Sequence, residues 1–509
     1  MNLWGKTIPL FLALALLGMG CGVAETPSHP QTIQPATATV TVASPTLTPN
    51  PSATPTPAPT AEAALKTNGP YLAYLRGVDA DHQQLVLMDA DGMGRKIIDA
   101  PSENPLYTNF LSPDGKWLAY YAGSAKKEKA SDLELDLLNL ETGQTHLVSK
   151  LLSKDYPDNF VEAAKEIKAA AAPDTTDDYI PAGELEQAFN EGITRSLGWS
   201  PDGKYLAFAG QMDGLSSDVY LYDMAKGSFR RISKGPQEIQ GIDWSPNGKW
   251  IISSSTTYFG EGSGVERDAI DFGNFTSKSL PYQTGEWQWY NDHTYIMNDS
   301  ENGAGDLNLQ SVNVATGVAH KIWGGAFHFF AFDPEQGLAI FSAITREWPE
   351  PDNSNFVAGF RLVDIKTGKE TSVNPDGIDL SFFGLGNRRF FSSYENEAHF
   401  IAADGSLISA NPNIQFVSAA PDKQHWIGIG KTLKIFNADD SLASDIDLPF
   451  TPPSTPYDLR MLWKPDSSGL FIIFGTEIYR VDIQNKEIDL VEGNLLPYQD
   501  LNFISIPAK

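Results

Sequence analysis

The sequence has one cysteine in 509 residues and far fewer basic than acidic side chains. A single cysteine excludes an internal disulfide framework, so the folded part has to be stabilised by packing. The chain carries 37 Lys and Arg residues against 64 Asp and Glu residues, which gives a formal net charge of -27. Because nucleic acids and anionic lipids are themselves polyanions, this charge opposes binding to either. We therefore expect a basic or neutral partner.

The apolar run near the N terminus, Leu10 to Leu17, is shorter than the roughly 20 residues that a membrane-spanning helix needs. It follows the positive Lys6 and is followed by Gly18-Met-Gly-Cys21, which is typical of an export signal. This segment resembles a bacterial lipoprotein signal, in which Cys21 is lipidated and becomes the mature N terminus. It departs from the usual pattern because Gly18, rather than leucine, stands three residues before the cysteine. The alternative is a soluble secreted protein, cleaved after Gly22-Val-Ala24.

Apolar side chains are also scarce in residues 22–68, which are rich in threonine, proline, alanine and serine. Such a segment cannot offset the entropy of ordering, so we predict a disordered linker. The chain thus divides into a signal peptide at 1–21, this linker and one folded domain at 69–509. We expect an extracytoplasmic protein of the cell envelope that reaches the membrane only through the N-terminal lipid.

The folded part is built from copies of one unit, Trp199-Ser-Pro-Asp-Gly-Lys-Tyr-Leu-Ala-Phe208. Pro201 favours the second position of a type I turn, and Ser200 and Asp202 bond their own backbone there. Gly203 suits the end of the turn, and an apolar strand follows. Close copies begin at Ser112 and Trp244, a longer one begins at Trp463, and weaker ones include Phe332 and Ala420.

Each copy is followed by a second hairpin with a polar turn, such as Leu137-Leu-Asn-Leu-Glu-Thr-Gly143. Four strands per repeat, with a period of roughly 40 to 50 residues, predict an all-β propeller. Because the repeats near Trp287 and Phe383 are faint, we expect about eight four-stranded blades, within a range of seven to nine. The first repeat lacks its first strand, so we expect a C-terminal strand at 501–507 to complete that blade and close the ring.

One stretch, residues 151–194, does not follow the repeat. Its composition around Val161 to Ala172 favours a helix, which predicts a small helical insertion. By chain order, this insertion leaves the ring on the same face as the loops that join the second and third strands of each blade. Those loops are the long ones, whereas the turns on the other face are short. Because binding residues on rigid scaffolds concentrate in long loops, we expect the functional surface on this long-loop face.

The Trp-Ser-Pro-Asp-Gly-Lys repeats resemble those of the periplasmic TolB family, which are also found in the propeller domains of prolyl oligopeptidases. The resemblance covers residues from about 70 to 509 and implies a platform that binds a protein or another ligand. No Gly-x-Ser-x-Gly elbow occurs, so the nucleophile of a peptidase is missing. We therefore expect a non-enzymatic protein, with no catalytic residues.

Two loops on the long-loop face combine aromatic and charged side chains of the types that anchor interfaces. The candidate binding residues are Tyr258, Phe259, Glu261, Glu266, Arg267, Arg346, Glu347, Trp348, Glu350 and Asp352. We expect a protein or peptide partner, no cofactor, no metal and a monomeric chain. Two alternatives stay open: a glycan or cell-wall binder, and a polysaccharide lyase or hydrolase that acts at the channel mouth.

Overall fold

The computed structural model describes residues 71–495 and 502–504, except for a set of internal segments. Those segments are 78–82, 100–109, 123–132, 154–192, 195, 214–216, 234–237, 257–264, 281–286, 301–306, 325–326, 345–356, 374–378, 395–396, 410–412 and 454–458. The chain divides into two compact units, Met1–Ala63 and Ala64–Lys509, and all of the described residues belong to the second. The predicted signal peptide, its Cys21 and the whole predicted linker lie outside the described residues, as does most of the predicted insertion.

The described part of the chain is built of antiparallel strands that form nine sheets, which we name blade 1 to blade 9 in chain order. Blades 1 to 3 contain β1 Tyr71–Gly77, β2 Gln83–Asp89, β3 Arg95–Asp99, β4 Trp117–Ala122, β5 Glu134–Asn139, β6 Thr145–Lys150, β7 Leu197–Trp199, β8 Tyr205–Gly210, β9 Asp218–Asp223 and β10 Ser228–Arg231. Blades 4 to 6 contain β11 Glu238–Trp244, β12 Trp250–Thr256, β13 Val265–Asp271, β14 Ser277–Ser279, β15 Trp287–Asn291, β16 Thr294–Ser300, β17 Leu307–Asn313, β18 Val318–Gly324, β19 Phe327–Asp333, β20 Leu338–Ile344, β21 Val357–Asp364 and β22 Glu370–Val373.

Blades 7 to 9 contain β23 Asp379–Leu385, β24 Arg388–Tyr394, β25 Glu397–Ala402, β26 Leu407–Ser409, β27 Phe416–Ala419, β28 His425–Ile429, β29 Thr432–Asn437, β30 Leu442–Asp447, β31 Leu459–Trp463, β32 Gly469–Phe474, β33 Glu477–Asp482 and β34 Glu487–Glu492. The last strand, β35 Asn502–Ile504, pairs with β1 in blade 1, where Leu72 lies opposite Phe503. Eight sheets thus have four strands. Blade 2 has three, and a single bridge from Leu111 to Leu118 stands at its fourth position.

The Ser-Pro-Asp-Gly turns form as the sequence predicts, and their polar side chains are bonded within the turn. In blade 3 the Ser200 hydroxyl donates to Asp202 at 2.8 Å and accepts the Tyr205 amide at 3.0 Å. The Gly203 amide donates to the Ser200 carbonyl at 2.8 Å, with the glycine at a φ of 70°. Blades 2 and 4 repeat this network around Ser112 and Ser245. The repeated aspartate therefore has a structural role in the turn.

Hydrophobic packing between neighbouring blades runs around the whole ring. One buried cluster joins blades 1, 2 and 3, and six others join each following pair up to blades 8 and 9. A further cluster joins blade 9 to blade 1, with Leu72, Tyr74 and Val86 against Phe471 and Ile473. Every blade thus buries apolar side chains against both neighbours, and burial of a large apolar side chain contributes about 1.5–3 kcal/mol.

Tryptophans on the inner strands add a hydrogen bond at four of the joints between blades, which we call indole bonds. Each indole N–H donates at 2.9–3.1 Å to the preceding blade, in three cases to its inner strand and in blade 2 to Phe110, beside the bridged Leu111. The four pairs are Trp199 with the Phe110 carbonyl, Trp244 with the Gly198 carbonyl, Trp289 with the Asp243 carboxylate and Trp463 with the Ser418 hydroxyl. The tryptophan of the repeat thus joins its own blade to the one before it.

The number of sheets is nine, at the upper end of the expected range and one more than our preferred value of eight. The faint repeats near Trp287 and Phe383 are complete four-stranded blades, 5 and 7. Their first two strands are joined by only two residues, Asp292-His293 and Gly386-Asn387. Because these tight turns replace Ser-Pro-Asp-Gly, the strongest mark of the repeat is missing from the sequence there.

The first residues of the predicted helical insertion at 151–194 pair with the sheet instead of starting a helix. Leu151 to Ser153 are extended, and the Leu151 carbonyl and Ser153 amide bond the backbone of Gln211 at 2.8 and 2.7 Å. Apolar Leu151 and Leu152 are both buried, which explains why this segment stays with the sheet. Ile193 and Thr194 have helical backbone, and residues 154–192 lie outside the described residues.

Candidate functional site

The two faces of the ring differ in the length of their connections. On one face, which we call the tight-turn face, the described strands are joined by two to five residues. On the long-loop face, the second and third strands are joined by residues 123–133 in blade 2, 257–264 in blade 4 and 345–356 in blade 6. The same connections in blades 7, 8 and 9 have only two residues. The long connections within blades therefore gather on blades 2 to 6.

Eight of the ten predicted binding residues lie outside the described residues, in the segments 257–264 and 345–356. The other two, Glu266 and Arg267, belong to β13 and not to a loop, which corrects the predicted end of the connection. They pair with Ser255 and Ser254 of β12. The antiparallel pairing of β12 and β13 extends past both residues to Val265, which lies opposite Thr256.

Arg267 is buried, with 8% of its surface exposed, although the sequence suggested an exposed anchor. Its Nε donates to the Ser254 hydroxyl at 3.3 Å, and its guanidinium carbon lies 5.7 Å from the ring centre of Trp287 in blade 5. Burial lowers the pKa of the Arg267 guanidinium, because the charged form loses water. A guanidinium against an indole ring gains a cation–π attraction, which is larger where water is excluded.

Aromatic rings surround this arginine and form the part of the site that sequence reasoning missed. Trp287 packs edge-on against Trp289 at 5.6 Å and Tyr295 at 5.3 Å between ring centres. Trp287 and Trp289 are half-buried and two residues apart on one strand, so they share a face. The spacing of two residues could have indicated this shared aromatic face from the sequence. The strand belongs to one of the faint repeats, however, so the pair was not recognised. We call Ser254, Arg267, Trp287, Trp289 and Tyr295 the Arg267–Trp287 site.

A second polar group on the long-loop face lies in blade 3, beside the connection 211–217. The Tyr220 hydroxyl donates to the Asp213 carboxylate, and Arg231 bonds Asp213 at 3.2 Å and Asp218 at 3.1 Å. Burial, together with the bond to Asp213, raises the pKa of the Tyr220 hydroxyl. This group adjoins Leu151 to Ser153 through Gln211, so it stands at the base of the stretch predicted as an insertion.

The described part of the chain contains no cluster of side chains suited to bind a metal ion. There, no three or more His, Cys, Asp or Glu side chains are placed so that they could hold a metal ion. Among the same residues, no helix is long and apolar enough to cross a membrane.

Comparisons with known proteins agree with this architecture. The family model for the WD domain, G-beta repeat, matches residues 227–257, which run from the turn before β10 to the end of β12. The uncharacterized protein Atu1656 of Agrobacterium fabrum is 39% identical over 59 residues, which cover 12% of this chain and 20% of that protein. The uncharacterized peptidase YuxL of Bacillus subtilis is 32% identical over 68 residues, which cover 13% of this chain and 10% of that protein. The chain thus spans a fifth or less of these two relatives.

Among solved structures, TolB from Acinetobacter baumannii has a TM-score of 0.31 and 16% identity, with 60% of this chain and 63% of that chain covered. A eukaryotic initiation factor has a TM-score of 0.47 and 12% identity, with 86% and 98% covered. At these identities the likeness is one of fold alone. The nine sheets and their packing show that the protein is a β-propeller. The predicted resemblance to TolB-type propellers holds at the level of this fold, and the WD-repeat match includes one of the repeats, Trp244 to Gly248.

Proposed function

We propose that this protein is an exported, lipid-anchored propeller that binds a protein or peptide partner on its long-loop face and catalyses no reaction. The observation that carries the proposal is the asymmetry between the two faces. The turns of the tight-turn face satisfy their own polar groups, as the network around Ser200 and Asp202 illustrates. Groups that are already bonded within a turn have little left to offer a partner. The connections between the second and third strands of blades 2 to 6 are longer, and binding residues on a rigid scaffold concentrate in long loops.

The Arg267–Trp287 site supports a location on blades 4 and 5. It holds a buried guanidinium, two half-buried indoles and a tyrosine at the end of the connection 257–264, which carries Tyr258, Phe259 and Glu261. Tryptophan, tyrosine and arginine are the residue types enriched among the few side chains that dominate binding energy. The second loop, with Arg346, Glu347, Trp348, Glu350 and Asp352, belongs to blade 6 on the same face. Together the two loops and the site between them would form one interface.

The interface is tested by recovering partners from the cell envelope after cross-linking to the purified protein. Phe259→Ala and Trp348→Ala each remove one aromatic side chain from a predicted anchor loop. We expect each to lower recovery of the same partner by about tenfold or more, as removal of an anchor residue does. The control is Met93→Ala, since Met93 is 65% exposed in a turn of the tight-turn face. Full recovery of every partner by both loop variants would refute the proposed face.

The anchor is tested separately through Cys21, which the lipoprotein-like signal marks as the lipidated residue. Cys21→Ser removes the sulfur that would carry the lipid. We expect the variant to move from the membrane fraction to the soluble fraction of the envelope or the medium, because the rest of the chain is strongly acidic. A variant that stays with the membrane fraction would contradict a lipid anchor at this position and leave the interface proposal intact.

A further inference from the structure

Blade 7 has a shorter inner turn than its two neighbours. Its first two strands are joined by Gly386-Asn387, whereas residues 334–337 make the same connection in blade 6 and residues 420–424 make it in blade 8. None of the four indole bonds described above reaches blade 7. On the tight-turn face, the short turn of blade 7 therefore lies between the longer inner turns of blades 6 and 8.

Charged side chains connect the turns of blades 6 and 8 with blade 7. The Arg389 guanidinium of blade 7 donates through Nε to Asp333 at 2.5 Å and through Nη2 to Glu335 at 3.0 Å, and both carboxylates belong to blade 6. The other oxygen of Glu335 accepts the Lys423 ammonium of blade 8 at 2.9 Å. One carboxylate thus bonds blades 7 and 8 at once, and the turns of blades 6 and 8 meet across blade 7. We call Glu335, Arg389 and Lys423 the clasp.

The clasp has a buried half and an exposed half. Arg389 and Asp333 are 3% and 0% exposed, and a buried guanidinium and carboxylate stabilise the fold only while each keeps its partner. Glu335 and Lys423 have side chains that are 42% and 51% exposed, so their ion pair is screened by water and salt. The exposed half is therefore the part that a change in the medium can open.

We propose that the clasp is an acid-sensitive fastening, and that its opening loosens blade 7 before the rest of the ring. This inference is independent of the proposed partner. Glu335 faces Arg389 from β24 and Lys423 from the turn before β28, with Asp333 two residues before it at the end of β19. Next to Lys423, Asp422 of the same turn and His425 at the start of β28 lie 3.6 Å apart. Protonation of Glu335 removes the negative charge that both cations share.

The pH dependence has a definite sign. The hydrogen bond from Lys423 holds the pKa of Glu335 below its ordinary value, and those from Arg389 act in the same direction, although partial burial opposes them. A carboxyl group with a lowered pKa in the folded state stabilises the fold above its unfolded pKa. That contribution is lost as the pH falls through the lowered value. The clasp is therefore closed at neutral pH and opens in acid.

Hydrogen exchange of backbone amides tests the clasp, with Glu335→Gln as the main variant at neutral pH. The measured quantity is the exchange rate of amides in β23 and β24 divided by that in β11 and β12, since the ratio cancels the intrinsic effect of pH. We expect the ratio to rise about two- to fivefold in this variant, the range expected for loss of an exposed ion pair. Lys423→Met should shift the ratio in the same direction.

The matched control is Asp202→Asn, which removes a carboxylate from the inner turn of blade 3. Asp202 bonds Lys204 at 2.8 Å within a single turn, and Asn247 occupies the same position naturally in blade 4. We expect this control to leave the ratio unchanged. Acid should raise the ratio in the wild type and have no further effect on it in Glu335→Gln. A ratio that stays unchanged in both clasp variants, or exchange that rises equally in all blades, would overturn the proposal.

Discussion

The turns between the third and fourth strands bring one backbone position into the left-handed region. In blade 2 this position is Gly143, whose amide donates to the Asn139 carbonyl at 2.8 Å with a φ of 72°. In blade 9 the same position is Lys486, whose amide donates to Asp482 at 2.9 Å with a φ of 61°. A side chain in this conformation costs roughly 1–2 kcal/mol because its Cβ approaches the following carbonyl.

Lys486→Gly should therefore raise the free energy of unfolding by about 0.5–1 kcal/mol, after the greater freedom of glycine in the unfolded chain is subtracted. The lysine is exposed, so little packing is lost. The reciprocal variant is Gly143→Ala, since no atom lies within 4 Å of the added methyl group and only the backbone conformation matters. We expect it to lower the free energy of unfolding by about 1 kcal/mol. Urea denaturation measures both, and equal midpoints for all three proteins would contradict the argument.

Asp136 on β5 is a second residue whose environment predicts a measurable effect. Burial raises the pKa of its carboxyl, and the negative Glu134 raises it further, while His146 and Tyr120 oppose the shift. A carboxyl group with a raised pKa in the folded state stabilises the fold below its ordinary value. That contribution is lost as the pH rises through the raised value.

Asp136→Asn should therefore raise the free energy of unfolding at pH 7, by less than about 1 kcal/mol because water screens the partly exposed side chain. The amide oxygen can still accept a hydrogen bond from Tyr120. Denaturation at several pH values measures the difference from the wild type. We expect this difference to shrink as the medium becomes acidic, and a difference that grows in acid would show that the carboxylate is stabilising.

At the scale of elements, the inner strands are joined by side chains rather than by a continuous ladder of backbone bonds. Trp244 of β11 illustrates the arrangement, since its ring is 1% exposed and its indole N–H donates to the Gly198 carbonyl of β7. An added Cβ on Gly198 would lie 3.2 Å from the Ile242 carbonyl oxygen and 3.3 Å from the indole. The glycine thus provides the space in which the neighbouring tryptophan sits.

Trp244→Phe should lower the free energy of unfolding by about 1–3 kcal/mol, since a partly buried carbonyl loses its donor and the smaller ring fills less volume. The matched control is Trp323→Phe, because the Trp323 indole donates at 3.0 Å to Glu370 at an exposed site on an outer strand. We expect the control to cost less than about 1 kcal/mol. Urea denaturation measures the free energy of unfolding of both variants. If the two substitutions lower it equally, the inner indole bonds stabilise the fold no more than an exposed one does.

At the scale of the whole molecule, the ring is closed by groups far apart in sequence. The Tyr74 hydroxyl of β1 donates to Glu492 of β34 at 2.9 Å, and Arg95 of β3 lies 3.4 Å from the same oxygen. Burial, with the adjacent Glu492, raises the pKa of the Tyr74 hydroxyl. The strand pair of β35 and β1 and this polar contact thus act at one seam between the ends of the folded chain.

Deletion of residues 501–509 should open that seam, since it leaves an edge of β1 without its partner. We expect a lower thermal midpoint and self-association that increases with protein concentration, because an unpaired strand edge is a template for another chain. The control is deletion of residues 507–509, which keeps Asn502–Ile504. Calorimetry and light scattering measure both effects. If the protein without residues 501–509 has the same thermal midpoint and the same degree of association as the control, β35 does not stabilise the closed ring.

The positions of most strands could be predicted because the repeat marks its own turns. Proline, aspartate and glycine at fixed offsets specify the turn beginning at Ser200 without help from distant residues. The turns of blades 5 and 7 could not be recognised in this way, because the two-residue turns at Asp292 and Gly386 lack the Ser-Pro-Asp-Gly motif. Their strands are held by packing against neighbouring blades, which is a contact between residues distant in sequence.

The candidate site was less predictable than the fold. Residue type singled out Arg267, but type alone does not show whether a side chain faces a loop or a neighbouring sheet. The structure places it in β13 against Trp287, a residue of another blade. Likewise, nothing local links Glu335, Arg389 and Lys423, which are 34 or more positions apart along the chain.

The sequence by itself determined the class of fold and the place of most turns, because those depend on alternation along a strand and on the φ preferences of a few residues. The tertiary structure alone decided the number of blades, the burial of Arg267 and the clasp across blade 7. Each of these depends on which strands become neighbours when the ring closes. That choice rests on packing and charge between residues far apart in the chain, which local patterns do not encode.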